Sequence, residues 1–166
     1  IKYRFKTRDG KLIESVYMPS PERKTLCVST QVGCAMGCRF CATATLGLMR
    51  NLTASEIVAQ VHAVNREVRT NEKIEKNLRP LTNLVFMGQG EPLANLENVI
   101  AAIDILTQPT GLAISPRRIT VSTVGLVPRM KELATEGIPV TLAVSLHAPD
   151  DELRDARRRP STLVTR

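Results

Sequence analysis

From Leu81 onward, short apolar runs alternate with stretches of helical periodicity. "LTNLVFMG" is followed by "LENVIAAIDILTQ", "RRITVST" by "LVPRMKELATEG", and "IPVTLAVSLHAP" by "DDELRDA". Upstream, "TLCVST" leads through a loop into "LTASEIVAQVHAVNREV". There Ile57, Val58, Val61, Val64 and Val68 recur at helical spacing, and Thr53 with Glu56 makes a capping box. Strands alternating with helices build a parallel sheet with crossover connections, so the fold class is α/β. About four such strands are present, too few for a closed eight-stranded barrel. Their nearly continuous apolar character predicts burial on both faces, with helices on one side and a core on the other. Ahead of them, "KYRFKT", the turn "RDG" and "KLIESVYM" read as a β-hairpin.

Hydrophobic residues make up 43% of the 166 residues, enough for a packed core. Aromatics are only 3%, without Trp, so that core is built of Leu, Val, Ile, Met and Ala. No apolar run is long enough to span a membrane, and "IKYRFKTRDG" lacks a signal-peptide pattern. A cytoplasmic location without membrane association is therefore expected. In that reducing setting, four cysteines clustered between Cys27 and Cys41 read as a metal or redox site rather than a disulfide framework. Residues 1–50 hold nine Lys/Arg and three Asp/Glu, so +6 of the net +7 lies beside the cysteines. That basic surface is either a nucleic-acid footprint or an ordinary solvated face.

In parallel α/β sheets, ligand chemistry gathers at the C-terminal ends of the strands. Each unusual motif falls there. The cysteine loop follows "TLCVST", "GQGEP" follows "LTNLVFM", Ser122, Thr123 and Gly125 follow "RRITV", and Ser145 and His147 follow "VTLAV".

Cys34, Cys38 and Cys41 are spaced C-x3-C-x2-C. A structural zinc site needs four ligands. The only histidines are His62, inside a helix, and His147, at a strand end where it could serve as a fourth ligand. Three thiolates on one small loop instead fit three irons of a [4Fe–4S] cube, with the fourth iron open. Gly33 and Gly37 allow the backbone to wrap closely around it. Gly90 lets the chain approach a ligand on that iron, and Glu91 can accept hydrogen bonds from an amino group; alternatively, "GEP" is a turn that starts a helix.

Two further residues stand out. Cys27 is either a buried strand thiol, the usual fate of cysteine in an apolar run, or a rim residue with a role separate from the triad. Alternation in "KLIESVYM" puts Leu12, Glu14, Val16 and Met18 on one face. Glu14 is then either a carboxylate on an apolar face, costly to bury and so a site candidate, or part of an exposed hairpin.

C-x3-C-x2-C after the first strand, with "GEP" after the second, resembles the radical S-adenosylmethionine (SAM) superfamily. "TLCVSTQVGCAMGCRFCATATLGLMRNLTASEI", "MGQGEPLANLENV" and "VSLHAPDDELRD" are more closely similar to the rRNA adenine-C2 methyltransferases, whose members also act on tRNA. The resemblance runs from about residue 8 to residue 155. It implies a partial parallel (β/α) barrel of radical SAM type behind an N-terminal β-hairpin. The expected segments are a hairpin extension at 1–24, a partial radical SAM core at 25–156 and an atypical basic tail at 157–166.

The resemblance also implies the cofactors and site. Cys34, Cys38 and Cys41 would hold a [4Fe–4S] cluster. Gly90, Glu91, Ser122, Ser145, Leu146 and His147 match the family's SAM contacts. In that family one SAM methylates a second, C-terminal cysteine, and another is cleaved to a 5′-deoxyadenosyl radical that activates the methyl group for addition to adenine C2. Cys27 matches the cysteine that resolves the resulting covalent RNA adduct by forming a disulfide, and Glu14 matches a proposed proton acceptor. Expected partners are 23S rRNA, tRNA and an electron donor such as flavodoxin, with the enzyme a monomer.

The chain departs from the family in three places, the first being that the small N-terminal domain typical of the family is expected to be missing. No cysteine follows Cys41, so the methyl-carrying thiol has no counterpart here. After "DDELRDA" the sequence reads "RRRPSTLVTR", either an RNA-binding tail or a truncated or frame-shifted end. The expectation is a fragment that does not complete methyl transfer by itself. A relative acting at adenine C8 and a non-catalytic, metal-holding RNA-binding module are the alternatives.

Overall fold

The structure is a computed structural model and describes residues 1–75 and 77–158. Strands β1 (Lys2–Lys6) and β2 (Leu12–Pro19) form the expected hairpin, and β2 continues antiparallel onto β3 (Lys24–Cys27). From β3 the sheet turns parallel, through β6 (Asn83–Phe86) and β7 (Ile119–Thr123) to β8 (Thr141–Val144), in the order β1-β2-β3-β6-β7-β8. Helices α1 (Ala54–Asn71), α2 (Leu96–Thr107) and α3 (Val127–Thr135) connect the parallel strands, and α4 (Asp151–Arg158) follows β8. The sequence motifs explain two of these helix ends. Thr53 and Glu56 form a reciprocal capping box at the start of α1, and Gly137, at φ +68°, lies just beyond α3.

Register divides the sheet into two faces. Ile13, Ser15, Tyr17, Leu26, Leu84, Phe86, Ile119 and Val121 are buried, together with Ile57, Val61 and Val64 of α1 and Val99 and Ile103 of α2. The opposite face runs Lys2–Val16–Cys27–Val85–Thr120–Thr141 in direct cross-strand register and is covered far less. This corrects the expectation of strands buried on both sides. Burial alternates along β6 and β7, and three of the four residues of β8 are exposed, because helices pack against one face only.

It also reassigns the faces of β2. The core side carries Ile13, Ser15 and Tyr17, while Leu12 and Met18, neighbours of Glu14 on its face, are exposed. An unforeseen two-stranded ribbon, β4 (Gln31–Gly33) paired with β5 (Leu48–Asn51), closes the cysteine loop. The expected boundary at residue 157 falls inside α4. Arg157 donates from Nη1 to the His147 carbonyl at 2.7 Å, and its own carbonyl accepts the Arg39 amide at 3.0 Å. The remainder of the basic tail, 159–166, lies outside the described residues. Among the described residues, no helix is long and apolar enough to cross a membrane.

Candidate functional site

The β4–β5 ribbon pinches residues 34–47 into a loop. The Cys34 amide donates to the Gly47 carbonyl at 3.0 Å, the Cys41 amide to the Cys38 carbonyl at 3.1 Å, and a short 3-10 turn over Ala42–Leu46 completes the circuit. Gly33, at φ +76°, is confined as well as left-handed: a Cβ there would stand 1.8 Å from the Gly47 carbonyl oxygen.

Gln31 joins this ribbon to the next strand end. Its Nε2 donates to Asn51 Oδ1 at 2.7 Å, and its Oε1 accepts the Glu91 amide at 2.9 Å. Gly90, at φ +104°, is packed against Gln31, where a Cβ would meet side-chain carbon at 2.6 Å. Within the chain, then, the glycine of "GEP" serves a backbone-to-Gln31 contact. Glu91 is equally built in. It is 2% exposed, with Oε1 accepting the Leu93 amide at 3.0 Å and Oε2 the Val124 amide at 2.9 Å. Its carboxylate bridges the loops after β6 and β7.

These loops enclose a cavity of about 320 Å³ lined by Cys38, Phe40, Cys41, Met87, Gly90, Glu91, Ser122, Ser145 and His147, among others. Residues from all four parallel strand ends meet there. Ser122 donates its hydroxyl to the Phe86 carbonyl at 2.8 Å, and the Ser145 amide donates to the Thr123 carbonyl at 2.8 Å. His147 takes a left-handed φ of +58° and sets its ring 4.3 Å from that of Phe40. Leu146 does not line the cavity; it is 56% exposed. A larger cavity of about 710 Å³ lies between the hairpin and the start of α1, and Arg50 on its wall is already paired with Asp9 and Glu56.

Burial raises the Cys34 pKa, a contact with the Met36 backbone opposes this, and Cys38, Cys41 and Glu91 raise it further. Among the described residues, no three His, Cys, Asp or Glu side chains converge as placed on one point that could hold an ion. The donor set itself fits an iron–sulfur cluster: three thiols on one loop, two of them on the wall of the strand-end cavity.

Cys27 and Glu14 lie outside that cavity, on the open face of the sheet. Cys27 is 9% exposed, and burial pushes its thiol pKa up against a hydrogen bond with the backbone of Met87, a cavity residue. Glu14 is not buried. Its side chain is 38% exposed and ion-paired with Lys2 at 2.8 Å, because its face of β2 carries no helix.

Sequence reasoning missed Phe40, Gln31, Asn95 and Gln60. Phe40 could have been noticed as the lone aromatic of the cysteine loop. Asn95 donates to the carbonyls of Thr30 and Leu52, both at 2.8 Å. Such buried amides look like surface residues in a sequence.

The Radical SAM superfamily profile matches residues 28–165. The chain belongs to this superfamily. Superfamily membership carries with it SAM and a [4Fe–4S] cluster as cofactors. Similar proteins include the dual-specificity RNA methyltransferase RlmN 2 of Myxococcus xanthus, 66% identical over 154 residues, covering 93% of this chain and 40% of the relative. The dual-specificity RNA methyltransferase RlmN of an Anaeromyxobacter species is 57% identical over 157 residues, covering 94% of this chain and 41% of the relative. A crystallised radical SAM methyltransferase from Sphaerobacter thermophilus superposes with a TM-score of 0.88 at 52% identity, covering 95% of this chain and 44% of that one. The chain thus spans about 40% of the length of the curated relatives it matches. The expected α/β radical SAM fold with its N-terminal hairpin is borne out.

Proposed function

We propose that this chain carries the radical SAM part of an RNA methyltransferase acting on adenine C2 of 23S rRNA and on tRNA. The observation that carries the reading is the strand-end cavity, which joins Cys38 and Cys41 to Gly90, Glu91, Ser122, Ser145 and His147. Cys34, Cys38 and Cys41 would hold the cluster. When bound, it would supply the electron that cleaves SAM.

The chain's own groups would shape the rest. Phe40 and His147 offer ring surface on the cavity wall. Gly90, Ser122 and Ser145 line the space for SAM, and Leu146 flanks it from outside. The Glu91 carboxylate holds the loops on either side in register through backbone amides. Cys27 faces the open side of the sheet as a protonated thiol, able to give a proton or, once ionised, to attack sulfur. Glu14, two residues from Val16, the cross-strand partner of Cys27, would accept a proton from the target base. The thiol that would pair with Cys27 is not among these 166 residues, so we assign complete methyl transfer to longer chains of this kind. Reduction by flavodoxin, a monomeric state and a cytoplasmic setting accompany this reading.

Anaerobic reconstitution tests it. About four irons per chain, with a reduced-cluster spin signal that changes on adding SAM, is the expected result. Stoichiometric zinc without iron overturns it in favour of a metal-holding RNA-binding module.

A further inference from the structure

We infer that β1 is a phosphate-binding stripe that receives the backbone of the substrate RNA. This deepens the functional reading above and rests on it. Lys2, Arg4 and Lys6 alternate along β1 and are all exposed. Alternation puts them on one face, and register identifies which: Lys2 stands opposite Val16, and Val16 opposite Cys27. The three cations therefore share the open face with Cys27 and Glu14. Two strand spacings, about 10 Å, separate Lys2 from Cys27, and successive cations are about 7 Å apart along the strand.

The one carboxylate on this part of the face, Glu14, stands opposite Arg4 in register but is taken up by Lys2. Lys2 pairs with Glu14, but among the described residues neither Arg4 nor Lys6 has a carboxylate within ion-pair distance. Because β2 and β3 are antiparallel, Arg4 and Lys6 lie toward the rim where the cysteine loop begins. The exposed Leu12, on the same face of β2, adds apolar surface beside the cations. A polyanion whose base must reach Cys27 passes over this face, so a row of cations fits an RNA backbone.

The test is fluorescence anisotropy of a dye-labelled RNA stem-loop with the 166-residue chain between 50 and 200 mM salt. It compares Arg4→Gln/Lys6→Gln with Arg117→Gln/Arg118→Gln, which removes the same charge from exposed positions before β7. Losing two phosphate contacts should flatten the salt dependence by more than one unit and weaken binding about ten- to thirtyfold at 0.1 M salt. Arg4→Lys should restore most of its share, and melting temperature checks the fold. Equal weakening by both double variants overturns the proposal, as does no RNA binding by the unchanged chain. So does a β1 variant that keeps RNA but loses an acidic electron-transfer protein. Iron content is read on the same samples. Normal iron with lost RNA affinity supports the stripe independently of the cluster, whereas absent iron with RNA binding retained and lost only in the β1 variant sinks the radical SAM reading alone.

Discussion

Gln60 holds Ser29 by both sides of one peptide segment: its Oε1 accepts the Ser29 amide and its Nε2 donates to the Ser29 carbonyl, each at 3.0 Å. The same Oε1 accepts the Ser15 hydroxyl at 2.8 Å, and Ser29 in turn donates its hydroxyl to the Glu14 carbonyl at 2.6 Å. A single amide from α1 thereby fixes the end of the Cys27 strand against the Glu14 strand. All three side chains are essentially buried, at 1% exposure or less.

Gln60→Leu keeps the volume and removes the three hydrogen bonds that Gln60 makes to Ser15 and Ser29. Leaving buried donors and acceptors unpaired should cost about 2–4 kcal/mol, read as a lower urea midpoint. Alkylation of Cys27 should accelerate in parallel, because the strand end loosens. A surface change on the same helix, His62→Ala, should alter neither, His62 being exposed.

Glu91 should prove as important to the fold as to any ligand. Glu91→Ala removes acceptors for the Leu93 and Val124 amides, and hydrogen bonds to a buried charge are worth about 1.5–3 kcal/mol each. A clear fall in melting temperature is expected in the absence of SAM. Glu91→Gln, which keeps one oxygen, should fall between Ala and the unchanged chain.

Cys27 should react slowly at neutral pH. Burial raises its pKa, so the thiolate needed for alkylation forms only above the ordinary thiol range near 8.5. In a Cys34→Ser/Cys38→Ser/Cys41→Ser background, the iodoacetamide rate against pH should be displaced to the alkaline side of a free thiol. The linked stability has a definite sign. It is fully present below the unfolded pKa and is lost as pH rises through the folded one.

The acid limb has the opposite sign. A hydrogen bond from Arg50, followed by one from Thr7, holds the Asp9 carboxyl far below its usual range, and Arg50 lowers Glu56 likewise. That stability is present above about pH 4 and is lost as acidification protonates both groups. Arg50→Met should flatten the fall in melting temperature between pH 5 and 2 while leaving the alkaline side unchanged.

Two glycines of one loop should respond differently. Gly33→Ala drives a methyl into the Gly47 carbonyl and should disrupt the β4–β5 ribbon and iron uptake together. Gly47→Ala meets nothing within 4 Å, so its cost is backbone strain alone, about 1–3 kcal/mol for a side chain at φ +64° and ψ 174°. Iron per chain and melting temperature distinguish the two.

Short-range periodicity in the chain encodes the local elements. The βα alternation, the Thr53–Glu56 capping box, the hairpin and the spacing of Cys34, Cys38 and Cys41 were all legible, because each depends on neighbours a few residues apart. The strand-end rule also located Ser122, Ser145 and His147 on one cavity wall. Long-range packing set the remainder. Which face of β2 is core depends on where α1 packs, so Ser15 went inside and Glu14 went out to Lys2. Leu146 turned to solvent. The three-residue strand at Gln31–Gly33 is too short to leave a pattern and exists only through its pairing with Leu48–Asn51. Gln31, Gln60 and Glu91 became structural through partners 31 to 60 residues away in the chain. A polar side chain carries no local mark of such a partner, since burial becomes tolerable only once the distant backbone group arrives to pair with it.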